Sequence, residues 1–275
     1  RMVANELSIA LKQSVIVENR GGAAGSLAAD AVAKSAPDGY TVLFAQNGLA
    51  INVAANPRLP FNGQKDLLPV VGVAATPHIL IVNTNSKAKN VADLISMLRA
   101  DPGKMSFGSS GIGNSDHMAG ELFLATTGTQ AIHIPYKGGS PAATDLVGGQ
   151  VDFTMDSLVQ ALPHIQSGRL KVLAVLGAKR TPVLPNVPTV AESGVPGYDF
   201  TNWFGFVAPA QTPKTVIAKL HTDIAAVLAQ PDMRAQLEKM GTEVIASTPA
   251  QFAEQIAADT KKWAKIVKER NIKAD

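Results

Sequence analysis

Cysteine is absent from the 275-residue chain, which excludes disulfide frameworks, thiolate zinc sites, iron–sulfur ligation and cysteine nucleophiles together. Such a composition suits an oxidising compartment, where a stray thiol is a hazard, without requiring one. Long apolar runs are missing too: none approaches the roughly 18 residues that span a bilayer, and no stretch has the three-part pattern of a signal peptide. Basic blocks are scarce. The net charge is +3, and residues 249–275, the one basic stretch, carry six Lys or Arg against four Asp or Glu. That distribution lacks the footprint of a phosphate-backbone binder, so no nucleic-acid partner is expected. His78, His117, His133, His164 and His221 show no paired spacing and no H-E-x-x-H pattern, which argues against a metal site.

What is present is a chain with 46% hydrophobic and 17% charged residues, long enough to bury one large core or two ordinary ones. Met2, Val3, Leu7, Ala10 and Leu11 stand at helical spacing with no capping signal before them, so the chain is expected to open inside a helix that a strand precedes. A short strand over Val15–Val17, a glycine-rich turn through Gly21, Gly22 and Gly25, an alanine-rich helix to Ser35 and a strand over Thr41–Ala45 follow. From Met105 the alternation is clearer, with strands expected near Met105–Gly108, Ile132–Pro135, Val151–Met155 and Lys171–Leu176 and helices between them. This order predicts a small parallel α/β lobe. Ser140-Pro141 opens one of its helices and Gly148-Gly149 ends it, as capping chemistry requires.

Pro182, Pro185, Pro188 and Pro196 mark a loop expected to return the chain to the first lobe near Trp203. Helices after Pro213 and Pro231, a strand over Glu243–Ala246 and a long helix from Pro249 to Arg270 complete it. One strand cannot build a third domain, so residues 1–98 with 203–275 are expected as the first lobe and 99–202 as the second. The last helix carries Phe252, Ile256, Trp263, Ile266 and Val267 on one face and lysines on the other. It is expected to pack on its own lobe rather than on a membrane.

The segment Gly108-Ser109-Ser110-Gly111-Ile112-Gly113-Asn114-Ser115 lies between a predicted strand and a predicted helix. It nearly spells a nucleotide phosphate loop, but Asn114 stands where a lysine must neutralise the phosphates. The dinucleotide fingerprint fails as well, because Asp116 replaces the third small residue. What remains is a set of backbone N–H groups and hydroxyls at a helix N-terminus, a neutral cradle suited to a carboxylate; a plain tight turn with Asn114 or Ser115 as helix cap is the competing reading. Tyr136, Lys137 and Gly138, with Asp156, gather at the same carboxyl edge, where open α/β sheets bind ligands. Gln46 and Asn47 hold the equivalent position in the first lobe.

Catalytic constellations are thin. A hydrolase using Ser110 or Ser115 with His117 is the alternative to a binding protein, and it requires the imidazole within reach of a hydroxyl. Ser86-x-x-Lys89 matches a serine–lysine pattern but falls in a polar loop. A sensor domain would need an attached DNA-binding segment, of which there is no trace. No catalytic residue and no cofactor are assigned.

Taken in order, several segments together resemble one family. They are Val17-Glu18-Asn19-Arg20, Ala36-Pro37-Asp38-Gly39-Tyr40, Gly108-Ser109-Ser110-Gly111-x-Gly113 with His117, and Pro135-Tyr136-Lys137-Gly138. Gly149-Gln150-Val151-Asp152, Leu162-Pro163-His164-Ile165, Asn186-Val187-Pro188-Thr189 and Ala208-Pro209-Ala210 extend the match. The family is that of the tripartite tricarboxylate transporter substrate-binding receptors, also called Bug receptors, and the resemblance covers essentially the whole chain. It implies an α/β periplasmic binding protein of type II: two lobes, each a small mostly parallel sheet flanked by helices, with the ligand cleft between them. It also implies a periplasmic location, a small organic carboxylate ligand held partly by main-chain groups and water, delivery to membrane permease subunits, and a monomer. Two departures stand out. The family's first strand, glycine-rich loop and signal peptide are expected before Arg1. At Asn47-Gly48-Leu49-Ala50-Ile51-Asn52 the histidine that relatives often carry just before Ile-Asn is missing.

Overall fold

The computed structural model describes residues 1–21 and 25–272. Gly22 of the expected glycine-rich turn lies outside them. The chain divides into two compact units, one holding residues 1–75 and 203–267, the other residues 76–202 and 268–272. Sequence reasoning placed the first crossing near residue 98; the division falls at Ala75–Thr76 instead.

The first unit opens with α1 (Met2–Leu11), α2 (Ser26–Ala33), β1 (Leu43–Gln46), α3 (Gly48–Ala55) and β2 (Leu67–Thr76). The expected strand over Val15–Val17 does not form. Ile16 is 87% exposed there, and an isolated apolar triplet without a neighbouring strand has no ladder to join.

The second unit contains β3 (His78–Asn83), α4 (Val91–Ala100), β4 (Ser106–Ser109), α5 (Ser115–Thr127), β5 (Ile132–Pro135), α6 (Gly139–Val147), β6 (Phe153–Ser157), α7 (Leu158–Gln166) and β7 (Leu170–Val175). Its sheet runs β5-β4-β6-β3-β7. Parallel pairing joins β4 to β5 and to β6, whereas β3 is antiparallel to β6 and to β7. The expected run of four parallel strands is therefore interrupted by β3, which enters the sheet between the third and fourth. The sequence concealed β3 because it is buried on both faces and shows no alternation.

Capping chemistry sets several boundaries. The Asn90 side chain accepts from Asp93 N–H at 2.8 Å to start α4, and Gly128 ends α5 in the left-handed region. Ile79, Ile81, Leu146, Leu158, Ala161 and Val175 form the core of this unit. The proline-rich segment after β7 packs on the same sheet, for Val190 N–H bonds the Val175 carbonyl at 2.9 Å. Tyr198 is buried with its hydroxyl donated to the Ala119 carbonyl at 3.0 Å.

The chain then returns through β8 (Asn202–Pro209), followed by α8 (Lys214–Ala229), α9 (Pro231–Lys239), β9 (Glu243–Val244) and α10 (Pro249–Glu269). The first sheet runs β1-β8-β2-β9, with β8 antiparallel to β1 and β9 antiparallel to β2. Its direction therefore departs from the mostly parallel arrangement expected. Val70, Val71, Val73, Ile217, Ile224 and Leu228 form its core. The last helix starts with a reciprocal cap, Thr248 N–H to Gln251 Oε1 at 2.9 Å and Gln251 N–H to Thr248 Oγ1 at 3.2 Å. It buries Phe252, Ile256, Trp263 and Ile266. Trp203 meets Phe252 edge to face at 5.1 Å and donates its indole N–H to Asp259 at 2.6 Å. Among the described residues no helix is long and apolar enough to cross a membrane.

Candidate functional site

The carboxyl edge of the second unit's sheet brings together most of the residues singled out in the sequence. Ser109 ends β4, Asp156 lies near the end of β6, and residues 136–138 follow β5. The loop between β4 and α5 turns on glycines that only a residue without Cβ fits well: φ is +135° at Gly111, +78° at Gly113 and, in the adjacent loop, +113° at Gly138. A Cβ at Gly111 would also lie 3.1 Å from Asn114 Nδ2.

The loop is bonded largely to itself. Tyr136 N–H and Gly138 N–H donate to the Ser109 and Ser110 carbonyls at 2.9 and 3.2 Å, fastening the two loops together. Asn114 does not cap α5 with its side chain; its Nδ2 donates to the Ser110 carbonyl at 3.0 Å. Gly111 N–H donates to Ser109 Oγ at 3.2 Å and Gly113 N–H to His117 Nδ1 at 3.0 Å. The cradle of open N–H groups is thus narrower than the sequence suggested. Among the described residues, the N–H groups of Ile112 and Ser115 and the Ser115 hydroxyl have no partner, and they stand at the N-terminal, positive end of α5. Lys137, between the two residues that fasten the loops together, is exposed.

Nor is the surrounding neutral. Asp116, 6% exposed in the first turn of α5, accepts from Ser110 N–H at 2.5 Å, Ser110 Oγ at 2.9 Å and His117 N–H at 2.9 Å. Burial pushes its pKa up and these donors pull it back. Asp156 is equally buried but among the described residues accepts only from Ser157 N–H, at 2.7 Å. Burial, and then the charge of Asp116, push the Asp156 carboxyl up to about 7. Asp116 was read in the sequence only as the residue that spoils a dinucleotide fingerprint; its three hydrogen bonds make it the anchor of the loop.

Two histidines that sequence spacing left unconnected lie beneath the loop. The rings of His117 and His133 stack with centroids 3.9 Å apart, and Phe107 stacks on His133 at 4.8 Å. His133 Nε2 lies 2.5 Å from Ser109 Oγ. Because Gly113 N–H donates to Nδ1 of His117, a neutral His117 carries its proton on Nε2. That atom faces Glu121 at 3.8 Å, and Glu121 is held by Arg270 at 2.6 Å. Burial lowers His117 to about 3, helped by the neighbouring His133, and burial lowers His133 to about 4. No signal in the sequence joins residues 117 and 133, since they meet only because α5 packs on β4 while β4 pairs with β5.

This geometry corrects the hydrolase reading. Ser110 Oγ is committed to Asp116, and His117 addresses a backbone N–H and a carboxylate rather than Ser110 or Ser115. Among the described residues the one serine bonded to an imidazole is Ser109, which is 1% exposed and offers no approach to a substrate carbonyl. Among the described residues no cluster of His, Asp or Glu could hold a metal ion.

In the first unit, Gln46 is exposed at the end of β1. Asn47 is fully buried, and neither Nδ2 nor Oδ1 of its amide has a hydrogen-bond partner among the described residues.

A family model described as "Tripartite tricarboxylate transporter family receptor" matches residues 1–272. Protein BugT of Bordetella pertussis is 36% identical over 275 residues, covering 99% of this chain and 84% of that protein. Among solved structures, Rpa4515 of Rhodopseudomonas palustris with adipate is 35% identical, with a TM-score of 0.89 over 99% of this chain and 92% of that one. MatC of the same organism, with bound malate, is 30% identical with a TM-score of 0.86, covering 97% of this chain and 92% of that one. Such proteins hold a solute without transforming it, which agrees with a site in which His117 reaches neither Ser110 nor Ser115. The chain belongs to the tripartite tricarboxylate transporter family of receptors, with the α/β periplasmic-binding-protein fold.

Proposed function

We propose that this protein is a periplasmic receptor that binds a small organic carboxylate and delivers it to the membrane permease of a tripartite transporter. The observation that carries the reading is the preorganised loop of residues 109–115, with the unpartnered N–H groups of Ile112 and Ser115 at the N-terminus of a 13-residue helix. Such an end favours negative charge, and its donors are already aligned, so little ordering entropy opposes binding. Ser109, Ser110, Gly111, Gly113 and Asn114 build the loop, Ser115, Tyr136, Lys137 and Gly138 border it, and Asp156 supplies a buried carboxyl beside it. Asn47, with its unsatisfied amide, and Gln46 are the corresponding candidates in the first unit. The adipate and malate held by the two relatives above support a carboxylate of that size.

Thermal unfolding against mono-, di- and tricarboxylates tests the assignment. A ligand at about 100 times its Kd adds roughly 2.7 kcal/mol, and each kcal/mol moves the midpoint of a chain this size by about 2–4 °C. A shift of ~5–10 °C with one class of acid is expected. No shift with any of them overturns it.

A further inference from the structure

The parallel pairing of β4 with β6 sets Phe107 opposite Phe153 and Gly108 opposite Thr154. Two residues beyond that pair come Ser110, just past the end of β4, and Asp156 on β6, so the register carries both to the carboxyl edge. Ser110 is the residue gripped by Asp116. Two buried carboxyls therefore converge on one loop, and they are treated unequally. Asp116 receives three donors, with a backbone N–H on each of its oxygens, and that favours its charged form. Asp156 receives one donor, from the next residue in its own chain, and has no cation against it among the described residues. When two close carboxyls cannot both ionise, the one with fewer donors keeps the proton.

Other titratable groups do not alter this. Among the elements packed against β6, α5 carries Asp116, His117 and Glu121, β3 carries His78, α6 carries Asp145 and α7 carries His164, while β4 carries none. Of these, Asp116 is the one that acts on Asp156 through its charge. Asp145 is bonded to the Tyr136 hydroxyl at 2.7 Å, Glu121 is paired with Arg270, and the His78 and His117 rings are neutral at physiological pH.

A ligand carboxylate arriving here would meet two ionised carboxylates if Asp156 lost its proton, with the exposed Lys137 as the nearby offset. With the proton in place it meets a donor. The hydroxyls of Ser109, Ser110 and Tyr136 are already engaged by protein groups. We propose that Asp156 meets the ligand as a carboxylic acid, donating its O–H to a ligand carboxylate oxygen, so that this receptor holds its ligand together with one proton. The inference rests on the receptor reading and adds a pH dependence to it: uptake favours mildly acidic surroundings. The position of Asp156 near pH 7 places that dependence in the physiological range.

The test is calorimetric titration of adipate and malate between pH 5 and 9 on the full chain, wild type and Asp156→Asn. Both acids are largely ionised above about pH 6, since free carboxyls titrate near pH 4. Wild-type affinity is expected to be level at the acidic end and to fall about tenfold per unit above pH ~7. Asp156→Asn keeps an N–H donor without a titratable proton and flattens the profile. Carboxyl ¹³C NMR of the unliganded wild type supplies a second measurement, in which one aspartate resonance titrates near pH 7 and is missing from the variant. Binding with a flat wild-type profile, affinity that rises with pH, or an Asp156 midpoint near 4 each overturns the proton-sharing proposal and leaves the receptor reading intact. Failure of every carboxylate to bind at every pH overturns the receptor reading, and this proposal with it.

Discussion

Ser109 and His133, set diagonally on the neighbouring parallel strands β4 and β5, meet hydroxyl to imidazole at 2.5 Å, and the His133 ring in turn lies 3.9 Å from that of His117. Through this contact the floor of the 109–115 loop is tied to α5, and the Nδ1 of His117 reaches back up to Gly113 N–H. The loop is held from beneath by neutral rings and from its helix side by the charge of Asp116. Such an arrangement fixes donors in space before a ligand arrives, which is what a receptor of small anions needs. It also has measurable consequences.

Gly113 sits at φ +78° with nothing within 4 Å of where a Cβ would lie. Substitution there is therefore a test of backbone conformation alone, free of steric collision. Gly113→Ala places a Cβ-bearing residue in the left-handed region, at about 1–2 kcal/mol, and favours a relaxed loop in which the N–H of residue 113 leaves His117. Carboxylate affinity is expected to drop at least tenfold in calorimetry while the thermal midpoint falls by only a few degrees. Equal affinity in the variant would remove this loop from the ligand site.

Much of the second unit is legible in the sequence. Glycines and hydroxyls between an apolar strand and a periodic helix announce a helix N-terminus at Ser115, and Gly148-Gly149 punctuates as its chemistry demands. What is not legible has three separate causes. Strands β2 and β3 are apolar runs without alternation, because both their faces are largely buried. The His117–His133 stack joins residues on different elements, and its existence depends on strand register, which a one-residue slip would abolish. Asp116 looked like a flaw in a nucleotide motif because a motif records residue types at spacings and not which backbone N–H groups a carboxylate will receive.

Acid should weaken the fold through its buried imidazoles. His78 is 2% exposed, packs 5.2 Å from Phe200, and has an unpartnered Nδ1; burial lowers its pKa from 6.5 to about 4. The unfolded chain takes up this proton first as pH falls below 6.5, so stability contributed by neutral His78 is full above that pH and declines toward pH 4, by up to about 1.4 kcal/mol per unit. Asp156 acts in the opposite sense, since its raised pKa makes the folded state keep a proton that the unfolded chain releases as pH rises from 4 toward 7. Only the difference between wild type and variant isolates the histidine. Urea unfolding of His78→Phe between pH 7.5 and 4.5 is expected to show a shallower acid decline than wild type by nearly one proton. Parallel declines would mean that His78 is charged in the folded protein.

The first unit offers a packing test independent of any ligand. Gly205 on β8 lies directly under the Phe252 ring, which Trp203 flanks edge to face. A Cβ at Gly205 would overlap Phe252 Cζ and lie 2.6 Å from the Val71 carbonyl oxygen. A ring can swing aside, but that carbonyl belongs to the sheet and cannot retreat without distorting its strand. Gly205→Ala is therefore expected to cost about 1–3 kcal/mol, seen as a fall of roughly 2–12 °C in the thermal midpoint. Phe252→Leu added to Gly205→Ala relieves the ring overlap and leaves the carbonyl contact, so the double variant should be more stable than the sum of the single effects without regaining wild-type stability. Strict additivity would mean that the two residues do not press on each other and that α10 packs against the sheet through other contacts.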